Sequence, residues 1–205
     1  TLGIIAEEQC RFDDADKALL KALKLGKSSS DRRGMGGALL HFGSLRLHQK
    51  KHEDSRSMLQ KAERIFDDLD APGATSQVQL VLCRCALDEG KPKEAAKLAQ
   101  TAFTLAEKAG SAVRLAEASI IEGYADELLG EDGRTAIERG LTAAQDLDSL
   151  RVLLLGLRAR AFAKNRAGDV DGAKADLRDG TVRARAVGAR LQLKLLEQAA
   201  KELGS

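Results

Sequence analysis

The chain has 205 residues, and its 33 Lys and Arg against 31 Asp and Glu give a formal net charge of +2. This near-neutral balance speaks against bulk binding to nucleic acid or to an anionic membrane surface, because both need a concentrated basic face. Two Pro, no Trp and one Tyr, in a chain rich in Ala, Leu and charged residues, are typical of helices rather than sheets.

Five stretches with a helical pattern follow one another along the chain and share small residues at a regular spacing. In order they are FDDADKALLKALKLG, HEDSRSMLQKAERIF, PKEAAKLAQTAFTLA, EDGRTAIERGLTAAQ and VDGAKADLRDGTVRA. Their first small residues come in steps of 40, 40, 41 and 37 residues, at Ala15, Ser55, Ala95, Ala136 and Ala173. A second small residue stands seven positions after each, at Ala22, Ala62, Ala102, Ala143 and Gly180. Such a period is the sequence signature of a repeat protein.

Another helical segment precedes each of the last four stretches, so the repeating unit is a pair of helices. Helix N-caps are expected at Asp31, Ser111 and Ser149. Glycines are expected to end the second helices at Gly26, Gly110 and Gly188, and the first helices at Gly90, Gly130 and Gly168. The predicted units of one domain span approximately 1–30, 31–70, 71–110, 111–148 and 149–188, followed by a terminal helix in 189–205.

Small residues also mark the middle of the first helices, at Gly3, Gly43, Cys83, Gly123 and Ala161. A small side chain where two antiparallel helices cross lets their backbones approach closely. One helix pair cannot bury its own apolar face, so successive pairs are expected to stack.

The segment HFGSLRLHQKKHEDSRSMLQKAERIF carries the three small positions together, at Gly43, Ser55 and Ala62. This pattern resembles the tetratricopeptide repeat (TPR) superfamily, in an elongated form, since the ordinary unit has about 34 residues. The resemblance covers nearly the whole chain. It implies an all-α fold, a right-handed α-solenoid of about five stacked antiparallel helix pairs.

The resemblance also implies that the first helix of each pair lines a concave groove that binds a partner. The expected groove residues are Leu40, Ser44, Leu47, His48, Gln77, Arg84, Asp88, Glu117, Tyr124, Glu127, Arg158, Phe162, Asn165 and Arg166. Apolar anchors mixed with a few charges suit a helix or an extended peptide. Packing in the core is the alternative interpretation of Leu40, and equally of Leu80, Ile120 and Leu155.

No combination of residues predicts catalysis, a metal site or a cofactor. Cys83 and Cys85 are two positions apart, so they do not face each other on a helix. His41 and His48 are seven positions apart, which is too far for a shared metal. The acidic pairs lie near turns, where solvated helix ends explain them. No apolar run approaches the ~20 residues of a membrane-spanning helix.

The glycines in DRRGMGGALLHF superficially suggest a phosphate-binding loop. However, Leu39 stands where the third glycine of G-x-G-x-x-G would be, and no strand precedes the segment. The repeat register instead makes Asp31 an N-cap and Gly34, Gly36 and Gly37 the first turns of a helix.

The sequence therefore predicts a cytoplasmic, non-enzymatic scaffold or regulatory module that binds a protein or peptide and forms part of a larger regulator. A nucleic-acid-binding helical repeat is the less favoured alternative, and it rests on Arg183, Arg185 and Arg190. Contacts between copies of the chain, end to end or through the groove, would give a homo-oligomer.

Overall fold

The computed structural model describes residues 2–204 of the chain. Within that range it contains eleven α-helices and no strand. The helices are α1 (Leu2–Glu8), α2 (Phe12–Ser28), α3 (Arg32–His48), α4 (His52–Asp68), α5 (Pro72–Asp88), α6 (Pro92–Lys108), α7 (Ala112–Leu129), α8 (Arg134–Asp146), α9 (Leu150–Arg166), α10 (Val170–Ala186) and α11 (Arg190–Glu202). The all-α prediction is confirmed.

The helices stack in two layers, because every helix packs against the next one along the chain. The odd-numbered helices also contact one another, α1 with α3, α3 with α5, and so on to α11. The backbones of the even-numbered helices lie farther apart within residues 2–204, and a side-chain ion pair, Arg56 with Glu94 at 2.7 Å, links α4 to α6. The odd-numbered helices therefore form the concave face of a curved stack, and the even-numbered helices form its convex back. The curvature is strong enough that α1 also touches α11.

The turns between helices repeat one geometry about every 20 residues. The backbone enters the left-handed region at Ser30, Lys50, Asp70 and Asp148, and at five glycines that follow the same rule: Gly90, Gly110, Gly130, Gly168 and Gly188. The residue after each of these donates its N–H to the carbonyl five positions back, as Lys51 does to Arg46 at 2.9 Å. This pattern is the Schellman motif, which satisfies the last carbonyls of the helix.

The predicted helix-ending glycines are confirmed with one exception. Gly26 is wrong, because it lies buried inside α2, where a Cβ would collide with the side chain of Met35 on α3. Ser30 takes the left-handed position instead. Asp31 is confirmed as the N-cap of α3, since its side chain accepts a hydrogen bond from the Gly34 N–H at 2.8 Å. Ser111 and Ser149 stand at N-cap positions, but neither side chain accepts a capping hydrogen bond from the backbone, and the Ser111 hydroxyl accepts from Arg114 at 2.9 Å instead.

The small residues of the fourth pair were predicted in the wrong register. Gly133 and Gly140 are buried at the positions that correspond to Ala95 and Ala102, whereas Ala136 and Ala143 are only half-buried. The first small residues therefore come in steps of 40, 40, 38 and 40 residues. The physical reason is that α8 has 13 residues where α6 has 17, so the first turn of the helix is missing.

The crossings within each pair are as close as the small residues suggest. Gly3, Gly43, Cys83, Gly123 and Ala161 are all buried. A Cβ on Gly43 would lie 2.5 Å from Cγ of Leu59 and 3.3 Å from the carbonyl oxygen of Ser55. The Ser55 hydroxyl itself donates to the carbonyl of Gly43 at 2.7 Å. The two backbones are thus in direct contact, and no side chain fits between them.

We expect the crossing of α3 and α4 to be intolerant of one methyl group. Gly43→Ala should lower the free energy of unfolding by about 1–3 kcal/mol, because Leu59 is fully buried and cannot move aside. Gly37→Ala, on the same helix, meets nothing within 4 Å. It should raise the free energy of unfolding by up to about 1 kcal/mol through helix propensity. Urea unfolding followed by circular dichroism measures both, and equal effects of the two substitutions would contradict the close crossing.

Candidate functional site

The concave face is formed by the inward sides of the odd-numbered helices. All the predicted groove residues lie on four of these helices, α3, α5, α7 and α9. Two of them, Leu40 and Leu47, are buried in the hydrophobic core between α3, α4 and α5. Core packing is therefore the observed environment of Leu40, and neither leucine presents a surface to a partner.

Glu117 and Arg151 form an ionic contact with two hydrogen bonds on this face. The Arg151 guanidinium donates to both carboxylate oxygens of Glu117, at 2.8 and 2.5 Å, and so joins α9 to α7. Glu117 is only 3% exposed. Burial alone would raise the pKa of Glu117, but the charge and hydrogen bonds of Arg151 lower that pKa to about 2. Glu117 is therefore an ionised, fully used carboxylate, and Arg151 is a residue that the sequence prediction missed.

A second polar cluster joins α1 to α3. The Ser44 hydroxyl donates to the carboxylate of Glu7 at 2.7 Å, and Nε2 of His48 lies 3.4 Å from the same oxygen. Burial raises the pKa of Glu7 to about 7, against an opposing effect of the Ser44 hydrogen bond. Burial likewise lowers the pKa of His48 to about 3, helped by the charge of Arg84. The fold thus favours the neutral forms of both groups. Glu7 was not among the predicted groove residues, since none of those was assigned to the first unit.

Glu127 and Arg166 bind the backbone next to the place where α8 lacks its first turn. A carboxylate oxygen of Glu127 accepts the Gly133 N–H at 3.0 Å, in place of a side-chain cap. Arg166 donates to the Glu127 carbonyl oxygen and lies 3.4 Å from its carboxylate. Both residues were predicted to bind a partner, and both have partners within the fold.

Two further predicted residues tie neighbouring units together. Asp88 accepts hydrogen bonds from Lys50, in the turn between α3 and α4, and from His52, the first residue of α4, at 2.5 Å for the latter. Burial would raise the pKa of Asp88, but these two hydrogen bonds lower it. Gln77 accepts from Arg114 at 3.3 Å across α5 and α7.

The remaining predicted residues are less committed to the fold. Tyr124 and Phe162 are both half-buried and form an edge-to-face pair, with ring centroids 5.1 Å apart and ring planes at 88°. Asn165 is half-buried near the end of α9. Arg84 and Arg158 are partly buried, and within residues 2–204 no hydrogen bond or ion pair engages either guanidinium. These side chains, from α5, α7 and α9, are the predicted groove residues whose polar groups and rings are least used in contacts between helices.

Other features of the described residues offer no alternative binding site as well formed as the concave face. Two shallow depressions, of about 720 and 430 Å³, open to solvent near the start of α8 and the start of α6, and neither contains a predicted groove residue. Between residues 2 and 204 there is no cluster of three His, Cys, Asp or Glu side chains that could hold a metal ion. None of the helices in that range is both long enough and apolar enough to cross a membrane.

Curved stacks of antiparallel helix pairs with small residues at the crossings define a TPR-like solenoid, and the predicted fold class is confirmed. Two solved structures share the fold. A Rap protein complexed with competence and sporulation factor has a TM-score of 0.77 and 15% sequence identity over 95% of this chain. The apo form of RapI has a TM-score of 0.70 and 13% identity over 91% of the chain.

The chain spans about half the length of the first of these proteins, 54%, and 69% of the second. At such low identity the likeness concerns the fold alone. No protein-family model matches the sequence, and no curated protein is similar enough to count as a relative.

We expect Glu117 to depend on Arg151. Arg151→Met leaves a buried carboxylate without its partner, so the free energy of unfolding at pH 7 should fall by about 2–3 kcal/mol, reduced because Arg151 is 42% exposed. The double variant with Glu117→Met should recover most of this loss. Arg134→Met, which removes an exposed ion pair with Asp132, is the control and should change little. Urea unfolding of the wild type, the single variants Arg151→Met and Glu117→Met, the double variant and the control measures the coupling, and additive losses would refute it.

We expect Glu7 to make stability depend on pH around neutrality. Its folded pKa is about 7 against an ordinary value of 4.5, so the folded state holds the extra proton between these values. Stability should therefore be full below about pH 4.5 and fall as pH rises through 7.

Glu7→Gln should reduce the dependence of the free energy of unfolding on pH. At pH 8 it should raise that free energy by about 2 kcal/mol relative to the wild type. The exposed Glu53→Gln on α4 is the matched control and should keep the wild-type slope. Unfolding in urea at pH 5 and pH 8 tests the prediction, which fails if the slope of Glu7→Gln equals that of the wild type.

Proposed function

We propose that this chain is a non-enzymatic, cytoplasmic module that binds a short peptide or a segment of a partner protein on its concave face, as part of a larger regulator. The observation that carries the proposal is the uneven use of polar and aromatic groups on that face. In this proposal the chain consists of five helix pairs and a terminal helix, and the first helix of each pair lines the groove.

Most polar and charged side chains of the concave face have hydrogen-bonding or ionic partners on neighbouring helices. Glu117 is paired with Arg151, Glu127 with Arg166, and Glu7 with Ser44. The exceptions are Arg84 and Arg158, together with the half-buried rings of Tyr124 and Phe162. Aromatic and arginine side chains that a fold does not use are the residue types that most often anchor a partner.

These four residues come from three consecutive inner helices, α5, α7 and α9, so they lie along the curve rather than along one helix. A site of this kind reads several positions of an extended chain or of a helix laid into the groove. Support also comes from the fold: the Rap protein with TM-score 0.77 is complexed with competence and sporulation factor. We assign peptide binding to this chain because these four side chains are not used by the fold, and not because of the 15% identity.

The nucleic-acid alternative receives less support. Of its three arginines, Arg183 is paired with Asp179 at 2.9 Å, and Arg185 lies 3.7 Å from Glu197. Arg190 is exposed. These residues do not form an unpaired basic surface of the kind that phosphates require.

Tyr124 offers a direct test, because the chain has one tyrosine and no tryptophan. Its intrinsic fluorescence therefore reports on the concave face alone. We expect pools of random synthetic heptapeptides that lack Tyr and Trp to contain members that change this fluorescence in a saturable way. Pools that leave the fluorescence unchanged up to millimolar concentration would refute peptide binding at this face.

A pair of variants locates the binding. Phe162→Ala should weaken binding of any peptide so identified by about tenfold or more, as expected for loss of an aromatic anchor. Val182→Ala, on the convex side at 66% exposure, should leave affinity unchanged. Isothermal titration calorimetry measures both, with circular dichroism to check that Phe162→Ala is folded. Equal affinities of the two variants would place the binding elsewhere.

A further inference from the structure

The second half of α2 carries an unbalanced charge. Residues 17–28, KALLKALKLGKS, contain four lysines and no acid. These lysines form the lysine face: Lys17, Lys21, Lys24 and Lys27. All four are exposed, and within residues 2–204 no hydrogen bond or ion pair engages any of them.

Helix α9 shows that a helix without acids need not stay unbalanced. It has five cations, and four of them pair with carboxylates on neighbouring helices. These four are Arg151, Arg160, Lys164 and Arg166. The fold therefore supplies acids to the cations of α9 and supplies none to the lysine face of α2.

The lysine face also exposes two large apolar side chains. Its first three lysines follow the i, i+4, i+7 spacing of one side of a helix, and the opposite side is buried, for example at Leu19. Leu20, 51% exposed, and Leu25, 58% exposed, flank the row of lysines. Exposed apolar side chains rimmed by polar groups mark interaction surfaces. The outward side of α2 is therefore suited to a partner that carries negative charge.

Unpaired acids lie on another part of the same chain, at the end of α7. Glu122 and Asp126, one helical turn apart, are half-buried, and Glu131 in the following turn is exposed. No ion pair or hydrogen bond engages these three carboxylates in the described part of the chain. Burial raises the pKa of Asp126, and the charges of Glu131 and Glu127 raise it further. These acids therefore lack counter-charges, as the lysines do.

The acids lie in a recess between two outer helices. Ser119, on the same side of α7 as Glu122, accepts a hydrogen bond from Arg139 of α8 at 3.3 Å. Leu129, seven residues after Glu122, lines the depression at the start of α6. The backbones of α6 and α8 do not approach each other within residues 2–204. This side of α7, the acidic recess, therefore opens between α6 and α8 on the convex back.

We propose that the lysine face of one copy binds the acidic recess of a second copy of this chain. A second copy fits because one chain presents both unpaired signs, each with an apolar side chain beside it, Leu20 and Leu25 on one surface and Leu129 on the other. The long lysine stems can enter the recess and cover apolar surface there while their ammonium groups meet the carboxylates.

The contact is heterologous, because two lysine faces repel each other and cannot form a symmetric dimer. Each copy offers both surfaces, so association continues from copy to copy as rings or chains. Both surfaces are on the convex back. The contact therefore leaves the concave face free and does not depend on peptide binding.

Sedimentation velocity of the purified chain tests the association itself. At low ionic strength the sedimentation coefficient should rise with protein concentration below ~1 mM. High ionic strength should weaken the association by about tenfold or more, because exposed charges are screened. A chain that stays monomeric under both conditions would overturn the proposal. So would a monomer that floats with phosphatidylserine vesicles through α2, because the lysine face would then serve a membrane.

Charge reversal tests the lysine face. Lys21→Glu with Lys24→Glu should weaken self-association by about 100-fold or more, since like charges then face each other. Lys61→Glu with Arg64→Glu on α4 is the matched control, because these cations are also exposed, unpaired and three residues apart. The control should associate like the wild type. Equal losses in both double variants would show a general effect of net charge and overturn the proposal.

A complementary reversal tests the pairing of the two surfaces. Glu122→Lys with Glu131→Lys should also be monomeric, but its mixture with the Lys21→Glu, Lys24→Glu variant should associate again, because opposite charges then meet between the two proteins. Circular dichroism checks that each variant is folded. If Glu122→Lys unfolds the chain, Glu131→Lys alone, at an exposed position, replaces it. Folded variants whose mixture stays monomeric would overturn the proposal.

Discussion

The stack depends on one constraint, the contact between the two backbones of each helix pair. Where Gly43 meets Ser55, the serine hydroxyl donates to the glycine carbonyl across the crossing and lies 3.2 Å from Sγ of Cys85 in the next pair. Ser76 makes a similar bond to the carbonyl of Ala102 at 2.8 Å. Because only small residues allow this approach, they recur at nearly every crossing. The odd-numbered helices are thereby brought close enough to one another to form a continuous inner face.

That inner face is more polar than a hydrophobic core, and most of its polar groups have partners within the fold. Its polar side chains join neighbouring units, as Arg151 does with Glu117 and Ser44 with Glu7, so most of its polar groups hold inner helices together. A binding face built in this way has little polar capacity to spare for a partner. The few groups that remain unpaired, above all Arg84 and Arg158, therefore carry more information about function than the larger number of residues that merely line the groove.

The sequence was sufficient for the helix pairs, their period and most of their turns, since small residues and left-handed glycines report directly on backbone geometry. It failed at the fourth pair, because alanines at Ala136 and Ala143 fit the pattern while the buried glycines stand three residues earlier, where α8 has lost a turn. The predicted groove residues all lie on odd-numbered helices, α3, α5, α7 and α9. Their partners were not predictable, because Glu117 and Arg151 lie 34 residues apart on different helices and only the curvature brings them together. Whether those residues bind a partner stays a prediction.

The contact of α1 with α11 gives this solenoid a property that open repeat arrays lack. In an open array each unit senses only its neighbours, and the two ends can loosen independently. Here the first and last inner helices of the described range, α1 and α11, touch. The inner helices therefore form a ring, α1 to α11 and back to α1. A change in the angle between two neighbouring helices has to be compensated at the other crossings, or the contact between α1 and α11 breaks. A more strongly curved stack would bring α1 and α11 closer together, and a less curved stack would separate them.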